Sequence, residues 1–396
     1  MINLKKYNQE QILKYYDDLN KQEKESLNKQ IENIDFELVN EIYKKSYTDE
    51  VIDIKKISPL KILNKSKLND EFNVIGEELI KRNEYAIVIM AGGFGSRLGL
   101  NVPKGCLELN INNKNISLFE LFINQLKEAN KKYNSHIYLY IMTSTSNNKD
   151  TIDFFEKNNY FEYKEYIKFF SQDNFPILDV KGKLVLKNKH EILIGPNGNG
   201  DVFVSLKRNN IINDMKEKNI KYVLFSTIDN ALANFVDTKF IGVCIKNKYN
   251  LASKTMMKTD DEDKSWVFCK YNNKPYMLQS HYINKDITNQ KSNDGEYIYR
   301  ETNITYHLIS IENIELFANK KMKYHRAYKN NKFLNDNGNL VKTKKKNSFK
   351  FEKFIFDAFY YADDMLLYRI SEEEFCPIKN IDDIEKATKL LEQKKV

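Results

Sequence analysis

The sequence predicts an α/β protein built on a doubly wound sheet. Three observations carry this. The run Tyr85–Met90 (YAIVIM) is apolar without alternation, as expected of a strand covered on both faces. It runs straight into a glycine-rich turn, Ala91-Gly92-Gly93-Phe94-Gly95, a loop type found at the carboxyl ends of strands in open α/β sheets. From Tyr85 to about Tyr249 strand-like and helix-like stretches then alternate, as a parallel sheet with crossovers requires.

Upstream, residues 7–46 place Ile12, Leu13, Tyr16, Leu19, Leu27, Ile31 and Ile34 at helical spacing with charged faces between them. This predicts a helical N-terminal segment over 1–75 that serves packing. Within the core, expected over 76–330, Ser117-Leu118-Phe119-Glu120 forms a capping box that opens a helix running to about Tyr133. Branched and aromatic residues predict strands at 137–142 and 222–228. A further strand is expected at 365–370, inside a C-terminal segment over 331–396.

Composition narrows the function classes. The chain has 396 residues, 41% of them hydrophobic, enough for a large core or two to three domains. Its net charge of +8 arises from 63 Lys+Arg against 55 Asp+Glu, a small excess spread over a charged surface. Nucleic-acid binding needs a clustered signal, and the nearest cluster, Lys342-Thr343-Lys344-Lys345-Lys346, reads as a solvated loop. Cys106, Cys244, Cys269 and Cys376 have no metal-type spacing and read as reduced, packed thiols. No apolar run reaches the roughly 18 residues of a membrane helix, and the polar start MINLKKYNQEQ lacks a signal-peptide core. A cytoplasmic protein without nucleic-acid or membrane partners is expected.

The glycine-rich turn carries the chemistry. Gly92, Gly93 and Gly95 remove side chains and let backbone N–H groups approach an anion. Two familiar templates fail, because the P-loop ends in Gly-Lys-Ser/Thr and the dinucleotide fingerprint needs glycine where Leu98 stands. What remains is a pair of cations with different geometry: Arg97 offers a planar fork for phosphate oxygens, and Lys104, behind Pro103, a compact point charge.

Val88 to Gly105 resembles the signature L-x-x-A-G-G-x-G-T-R-L-G-x-x-x-P-K-G of the eukaryotic-type UDP-sugar pyrophosphorylases (UDPGP type 1), in particular the branch acting on N-acetylglucosamine, with Val88 and Ser96 as small departures. The resemblance implies a Rossmann-like nucleotidyltransferase core with a mixed sheet, in which this loop wraps UTP. It makes Arg97 and Lys104 the triphosphate and transition-state cations, and Ala91, Gly92 and Gly93 nucleotide contacts. Gln30 to Phe36 is similar to the family's Q-I-x-x-I-D-F segment.

Further motifs follow in order. Phe169-Phe170-Ser171-Gln172 through Pro176 resembles F-F-x-Q-x-x-x-P, which implies that Gln172 reads the uracil edge, a task suited to an amide with both donor and acceptor. Pro196-Asn197-Gly198-Asn199-Gly200-Asp201 resembles P-D-G-N-G-G, so that Gly198 would abut uracil and Asn199 touch the sugar. Asn197 and Asp201 depart from that pattern, and a carboxylate at 201 is expected to add negative charge near the sugar. Asp229 follows the strand at 222–228, where a carboxylate can hold a divalent cation. As a lone Asp-Asn it reads as a cap; the resemblance of Ile228 to Leu232 to V-D-N-x-L places it at metal and nucleotide. Phe240 to Ile245 resembles F-I-G-F-C-I, and Lys254 to Thr259 follows K-x-x-x-K-T.

Two segments break the resemblance. Gln279-Ser280-His281-Tyr282-Ile283 stands where the family has E-Y-S-E-I, and Tyr299 to His307, with Arg300, Glu301, Thr302 and Asn303, where it has F-N-A-G-N-I-A-N-H. Both family segments line the sugar pocket, so Arg300 and Asn303 are candidate sugar contacts. Either the pocket accepts a different sugar 1-phosphate, which is the preferred alternative, or Arg300 and Glu301 pair with each other and point away. His281 and His307 are read as packed or hydrogen-bonded rather than as bases.

The resemblance returns at Tyr324-His325, at Lys350 to Asp357 (K-M-E-K-F-V-F-D) and at Glu374 to Asn380 (E-F-S-P-L-K-N), and covers roughly residues 10 to 381. Lys379 is the lysine that this last element implies for the substrate phosphates. The few residues beyond suggest a version without the family's C-terminal β-rich domain. The oligomeric state stays open, with a monomer compatible. The expected reaction joins UTP and a sugar 1-phosphate, of the N-acetylglucosamine type or a related hexose, to a UDP-sugar and pyrophosphate with Mg²⁺ or Mn²⁺ held by Asp229. The alternative is a catalytically silent UDP-sugar-binding or regulatory homologue.

Overall fold

The computed structural model describes residues 3–45, 52–95, 98–258, 265–279, 285–293, 295–335, 337–341 and 343–393. The chain groups into two compact units. One comprises Met1–Val51, Asp173–Asp201 and Met322–Phe354; the other comprises Ile52–Gln172, Val202–Lys321 and Ile355–Val396. The boundaries expected at 75/76 and 330/331 do not coincide with this division. Strand pairing is the reason, because Lys61–Asn64 lies parallel to Leu366–Arg369 and both belong to the large sheet.

That sheet, in the larger unit, has eleven strands. In chain order they are β1 (Ile57–Ser58), β2 (Lys61–Asn64), β3 (Tyr85–Met90), β4 (Tyr138–Thr143), β5 (Ile167–Ser171), β6 (Tyr222–Thr227), β7 (Leu251–Met257), β8 (Trp266–Tyr271), β9 (Lys274–Gln279), β10 (Glu301–Ser310) and β11 (Leu366–Arg369). The spatial order is β2-β11-β7-β10-β6-β3-β4-β5, with β8 pairing β1, β9 and β10. β6, β3, β4 and β5 run parallel, while β10 runs antiparallel to both β6 and β7. The sheet is therefore mixed. β3 is buried at all six positions, which accounts for its unbroken apolar sequence.

The strands expected at 137–142, 222–228 and 365–370 are β4, β6 and β11. The helix Leu118–Tyr133 begins where the capping signal lies, with Ser117 Oγ accepting from the Glu120 N–H at 3.1 Å. One element intervenes between glycine-rich loop and helix, a hairpin of Glu108–Ile111 and Lys114–Ser117. It turns on Asn112 and Asn113, both left-handed at φ 50° and 63°, a two-residue turn that matches strand twist.

The smaller unit holds the helices Lys21–Glu32 and Phe36–Lys45, preceded by short 3-10 turns over residues 4–18. The expected helical segment is thus present, although α-helix begins only at Lys21, where Asn20 and Glu23 form a reciprocal capping box. Ile12, Leu27, Ile31, Phe36 and Val39 pack with Phe175, Leu178, Phe349 and Phe351 in this unit's core. All four cysteines are free, three of them buried, and Lys344, Lys345 and Lys346 are exposed. Among the described residues no helix is long and apolar enough to cross a membrane.

Candidate active site

Because β6, β3, β4 and β5 are parallel, their carboxyl ends share one edge of the sheet, the edge at which α/β proteins bind ligands. The residues just past those ends are Ala91–Gly93, Ser144–Asn147, Gln172 and Ile228–Asn230. Ala91 stays in register with its neighbour, its N–H donating to Met142 O at 2.8 Å. Gly92 then lies against the Gln172 amide: a Cβ there would sit 2.1 Å from Gln172 Nε2. Only glycine fits. Gly93 is exposed, with no atom within 4 Å of where a Cβ would be.

The loop closes on itself at its neck. Phe94 and Pro103 form a β-bridge, Gly95 N–H donates to Val102 O at 3.3 Å, and Lys104 N–H donates to Gly93 O at 3.2 Å. Arg97, the expected second cation, lies outside the described residues. The closed neck carries Lys104 to the end of β6, where its ammonium is 2.7 Å from Asp229 Oδ1. Both side chains are partly exposed. Two residues expected to share the reacting phosphates and metal therefore meet directly.

Asn147, which the sequence reading did not single out, holds the loop from below. It is fully buried; its Nδ2 donates to Ala91 O at 2.8 Å and reaches Gly93 O at 3.4 Å, while its Oδ1 accepts from Ser144 N–H and Oγ. The only sequence signal was the cluster Thr143-Ser144-Thr145-Ser146-Asn147 just after a strand.

Lys379 reaches the same edge through backbone pairing. Ile378 N–H donates to Asp229 O at 2.9 Å, and Asn230 and Pro377 form a β-bridge. Lys379 itself is exposed, and its N–H donates to Asp383 Oδ2 in the cap of the helix Ile381–Gln393. Beneath this zipper Lys254 is buried, 2.6 Å from Asp237 Oδ2 and 3.7 Å from Glu374 Oε2, and Lys65 bonds Glu374 Oε1 at 2.7 Å. Burial alone would raise the Asp237 pKa, but Lys254 and Lys65 outweigh it and bring the carboxyl down to about 2.

The departing segment Tyr299 to His307 is occupied with internal contacts. Arg300 is buried, its Nε donating to Thr288 O at 3.1 Å and its Nη2 to Asn289 Oδ1 at 2.5 Å, with the guanidinium 4.1 Å from the Tyr297 ring centroid. Glu301 is fully buried and pairs with Arg369, at 2.7 Å from Nε and 2.6 Å from Nη2, and with Thr255 Oγ1. The mutual Arg300–Glu301 pair entertained above is thus replaced by an Arg369–Glu301 pair. The pairing of β10 with β7 shifts between Ser253 and Thr255. Within that irregularity Thr305 is left-handed at φ 54°, a strained state for a β-branched residue. Asn303 Oδ1 steadies it by accepting the Thr305 N–H at 2.7 Å. Of the other broken segment only Gln279 is described; Ser280 to Ile283, including His281, lie outside the described residues. His307 is buried, its Nδ1 2.5 Å from Ser253 Oγ, and burial pushes its pKa down to about 3. It is a neutral packed histidine, as expected.

Gly198 and Asn199 belong to the smaller unit. Gly198 is left-handed at φ 89°, and a Cβ there would lie 2.6 Å from Lys353 O. The expectation that Asp201 adds free negative charge is corrected. Asp201 is fully buried; its Oδ1 is 2.8 Å from Lys353 Nζ and 3.1 Å from Asn197 Nδ2, and its Oδ2 accepts the Asp173 N–H at 2.8 Å. Burial pulls the Lys353 pKa down, but Asp201 and Tyr324 more than offset it and leave it raised.

For a cation the donor set is sparse. Among the described residues no group of three or more His, Cys, Asp or Glu side chains converges. A lone strand-end carboxylate such as Asp229 still fits Mg²⁺, which takes one or two carboxylates and fills its octahedron with phosphate oxygens and water.

Opposite charges facing one another beside backbone kept open by glycine suit an enzyme that handles nucleoside polyphosphates. The chain matches the model of the UTP–glucose-1-phosphate uridylyltransferase family over residues 34–393, and it belongs to that family. Members of the family convert UTP and a sugar 1-phosphate to a UDP-sugar and pyrophosphate. It is 31% identical over 365 residues to the UDP-N-acetylglucosamine pyrophosphorylase of Saccharomyces cerevisiae, covering 88% of this chain and 75% of that protein. It is 29% identical over 405 residues to UDP-N-acetylglucosamine diphosphorylase 2 of Arabidopsis thaliana, covering 95% and 78%. Among solved structures, the uridine diphosphate N-acetylglucosamine pyrophosphorylase from Trypanosoma brucei superposes with a TM-score of 0.81 at 26% identity, over 97% of this chain and 82% of that one.

Proposed function

We propose that this chain transfers a uridylyl group from UTP to a sugar 1-phosphate, N-acetylglucosamine 1-phosphate or that of a related hexose, and releases pyrophosphate. The observation that carries the reading is the Lys104–Asp229 pair at 2.7 Å, at the strand edge where Gly92 abuts Gln172. Gln172 presents an amide to the uracil edge, and the backbone of Ala91 to Gly93 gives the nucleotide a surface without side chains. In the reaction a sugar-phosphate oxygen forms a bond to the α-phosphorus of UTP, the α–β bridging bond breaks, and pyrophosphate leaves with the electron pair. The attacking phosphate is already ionised, so no general base is required.

Lys104 and Arg97 stabilise charge on the triphosphate, and Lys379 neutralises the incoming sugar phosphate. Asp229 would hold Mg²⁺, or Mn²⁺, whose charge when bound neutralises phosphate oxygens. Gly198 and Asn199 are assigned to uracil and sugar, and Asn303 to the sugar, on the resemblance of their motifs. The use of UTP favours a cytoplasmic setting. The test is pyrophosphate release from UTP and Mg²⁺ with glucose, galactose, N-acetylglucosamine and N-acetylgalactosamine 1-phosphates. Turnover with an N-acetylhexosamine phosphate supports the reading, whereas binding of UDP-sugar without turnover of any member of the panel replaces it with a silent binding protein.

A further inference from the structure

Asn230 has a part that its place beside Asp229 does not by itself reveal. Its side chain is 5% exposed and bonds at both ends to the distant segment Glu374–Ile378. Oδ1 accepts the Cys376 N–H at 2.8 Å, and Nδ2 donates to Glu374 O at 3.2 Å. A second bond to Oδ1, from Leu232 N–H at 3.2 Å, fixes the amide relative to its own chain. Around it the backbones pair as a short antiparallel ribbon, with Ala231 N–H on Cys376 O at 3.3 Å and Ile378 N–H on Asp229 O at 2.9 Å.

The residue opposite Asn230 is Pro377. Both ladder bonds flank this pair, so Pro377 stands at a non-hydrogen-bonded position, where its missing N–H costs the ribbon nothing. The Asn230 amide adds a donor and an acceptor to that ladder, reaching past Pro377 to Glu374 O and the Cys376 N–H. From the other side Glu374 is held by Lys65 and Lys254. The segment is therefore clamped just before Lys379, and its exit direction is set by the Ile378–Asp229 bond and by the Asn380–Asp383 cap.

We infer that Asn230 is a positioning residue for Lys379, fixing where that cation stands relative to the Asp229 carboxylate. This rests on the uridylyltransferase reading and on the part given there to Lys379. The chemistry gives the role consequence, since a misplacement of about 1 Å at a reacting centre can cost about 10²-fold in rate.

The experiment is a double-mutant cycle on pyrophosphate release in the full chain, with N230A, K379A and the pair. Each single variant is expected to lower kcat, and the pair to be no slower than K379A alone, because Asn230 acts only through Lys379. Losses that multiply overturn the inference. So does an N230A variant with wild-type kcat. N230D, isosteric and retaining the acceptor for Cys376, covers the case in which N230A does not fold: it is expected to lower kcat in the wild-type background and to have no further effect on K379A. A purely structural role would instead lower the unfolding midpoint and leave kcat of the folded fraction unchanged, which also overturns it. A wild-type chain that releases no pyrophosphate with any sugar phosphate, or a K379A variant as fast as wild type, brings down the underlying reading and this inference with it; multiplicative losses in an active enzyme bring down the inference alone.

Discussion

Lys104 Nζ and Asp229 Oδ1 lie 2.7 Å apart, the lysine in the loop that follows β3 and the carboxylate just past the end of the adjacent parallel strand β6, so each charge answers the other. On the proposed reading, a triphosphate and its cation compete with this pair for both charges. Lys104→Met is expected to lower kcat/KM by about 10²–10³, the loss of one transition-state donor, measured as pyrophosphate release. Asp229→Asn is expected to raise the Mg²⁺ concentration needed for half-maximal rate, and EDTA to abolish turnover until Mg²⁺ or Mn²⁺ is restored.

Gly92→Ala places a methyl group where the Gln172 amide nitrogen stands. The amide must move, so the preference for UTP over CTP is expected to fall together with a rise in KM for UTP. Competition between the two nucleotides in the forward assay measures it; unchanged preference would remove Gln172 from base recognition.

Asp201 carries a buried charge that Lys353 answers, with Asn197 as its amide neighbour. Asp201→Asn leaves the lysine without its carboxylate and is expected to cost about 3 kcal/mol, the scale of breaking a buried pair. The exchange N197D/D201N returns a carboxylate to the same hydrogen-bonded group and is expected to recover part of that loss. Urea denaturation of the three variants reads both values, and an exchange no more stable than Asp201→Asn contradicts the argument.

Acid stability follows from two buried groups. Asp237 is brought down to about 2 in the folded chain from the 3.8 of an ordinary aspartate, so its stabilisation is present above pH 3.8 and disappears as pH falls toward 2, by about 2 kcal/mol in all. His307 is held neutral, down to about 3 from 6.5. The unfolded chain takes up that proton first, so stability begins to fall below pH 6.5. Denaturation midpoints across pH 2–7 are expected to decline through both windows. His307→Gln is expected to flatten the upper one and Asp237→Asn the lower.

The sheet core was readable because β3, β4 and β6 are buried on both faces, which leaves uniform apolar runs in the sequence. Lys104 is readable as a cation beside a glycine-rich turn, whereas Asp229, which alone reads as a cap, is readable through the resemblance of its segment to V-D-N-x-L. Asn147 and Asn230 are not. An amide says nothing until the carbonyls and N–H groups it meets are known, and these come from other strands. Asp201 was misjudged for the same reason, since Lys353, which neutralises it, arrives from a distant segment. The division into units escaped the sequence because it follows the long-range pairing of β2 with β11.

That pairing also governs how the protein comes into being. β2 is near the start of the larger unit, yet among the described residues its one sheet neighbour is β11, far along the sequence. On a ribosome β2 must wait unpaired until β11 has emerged. The large sheet therefore closes only once β11 has been made, and such non-local closure is slow and exposes strands to aggregation. Chaperone demand during expression should concentrate on nascent chains that end before Leu366.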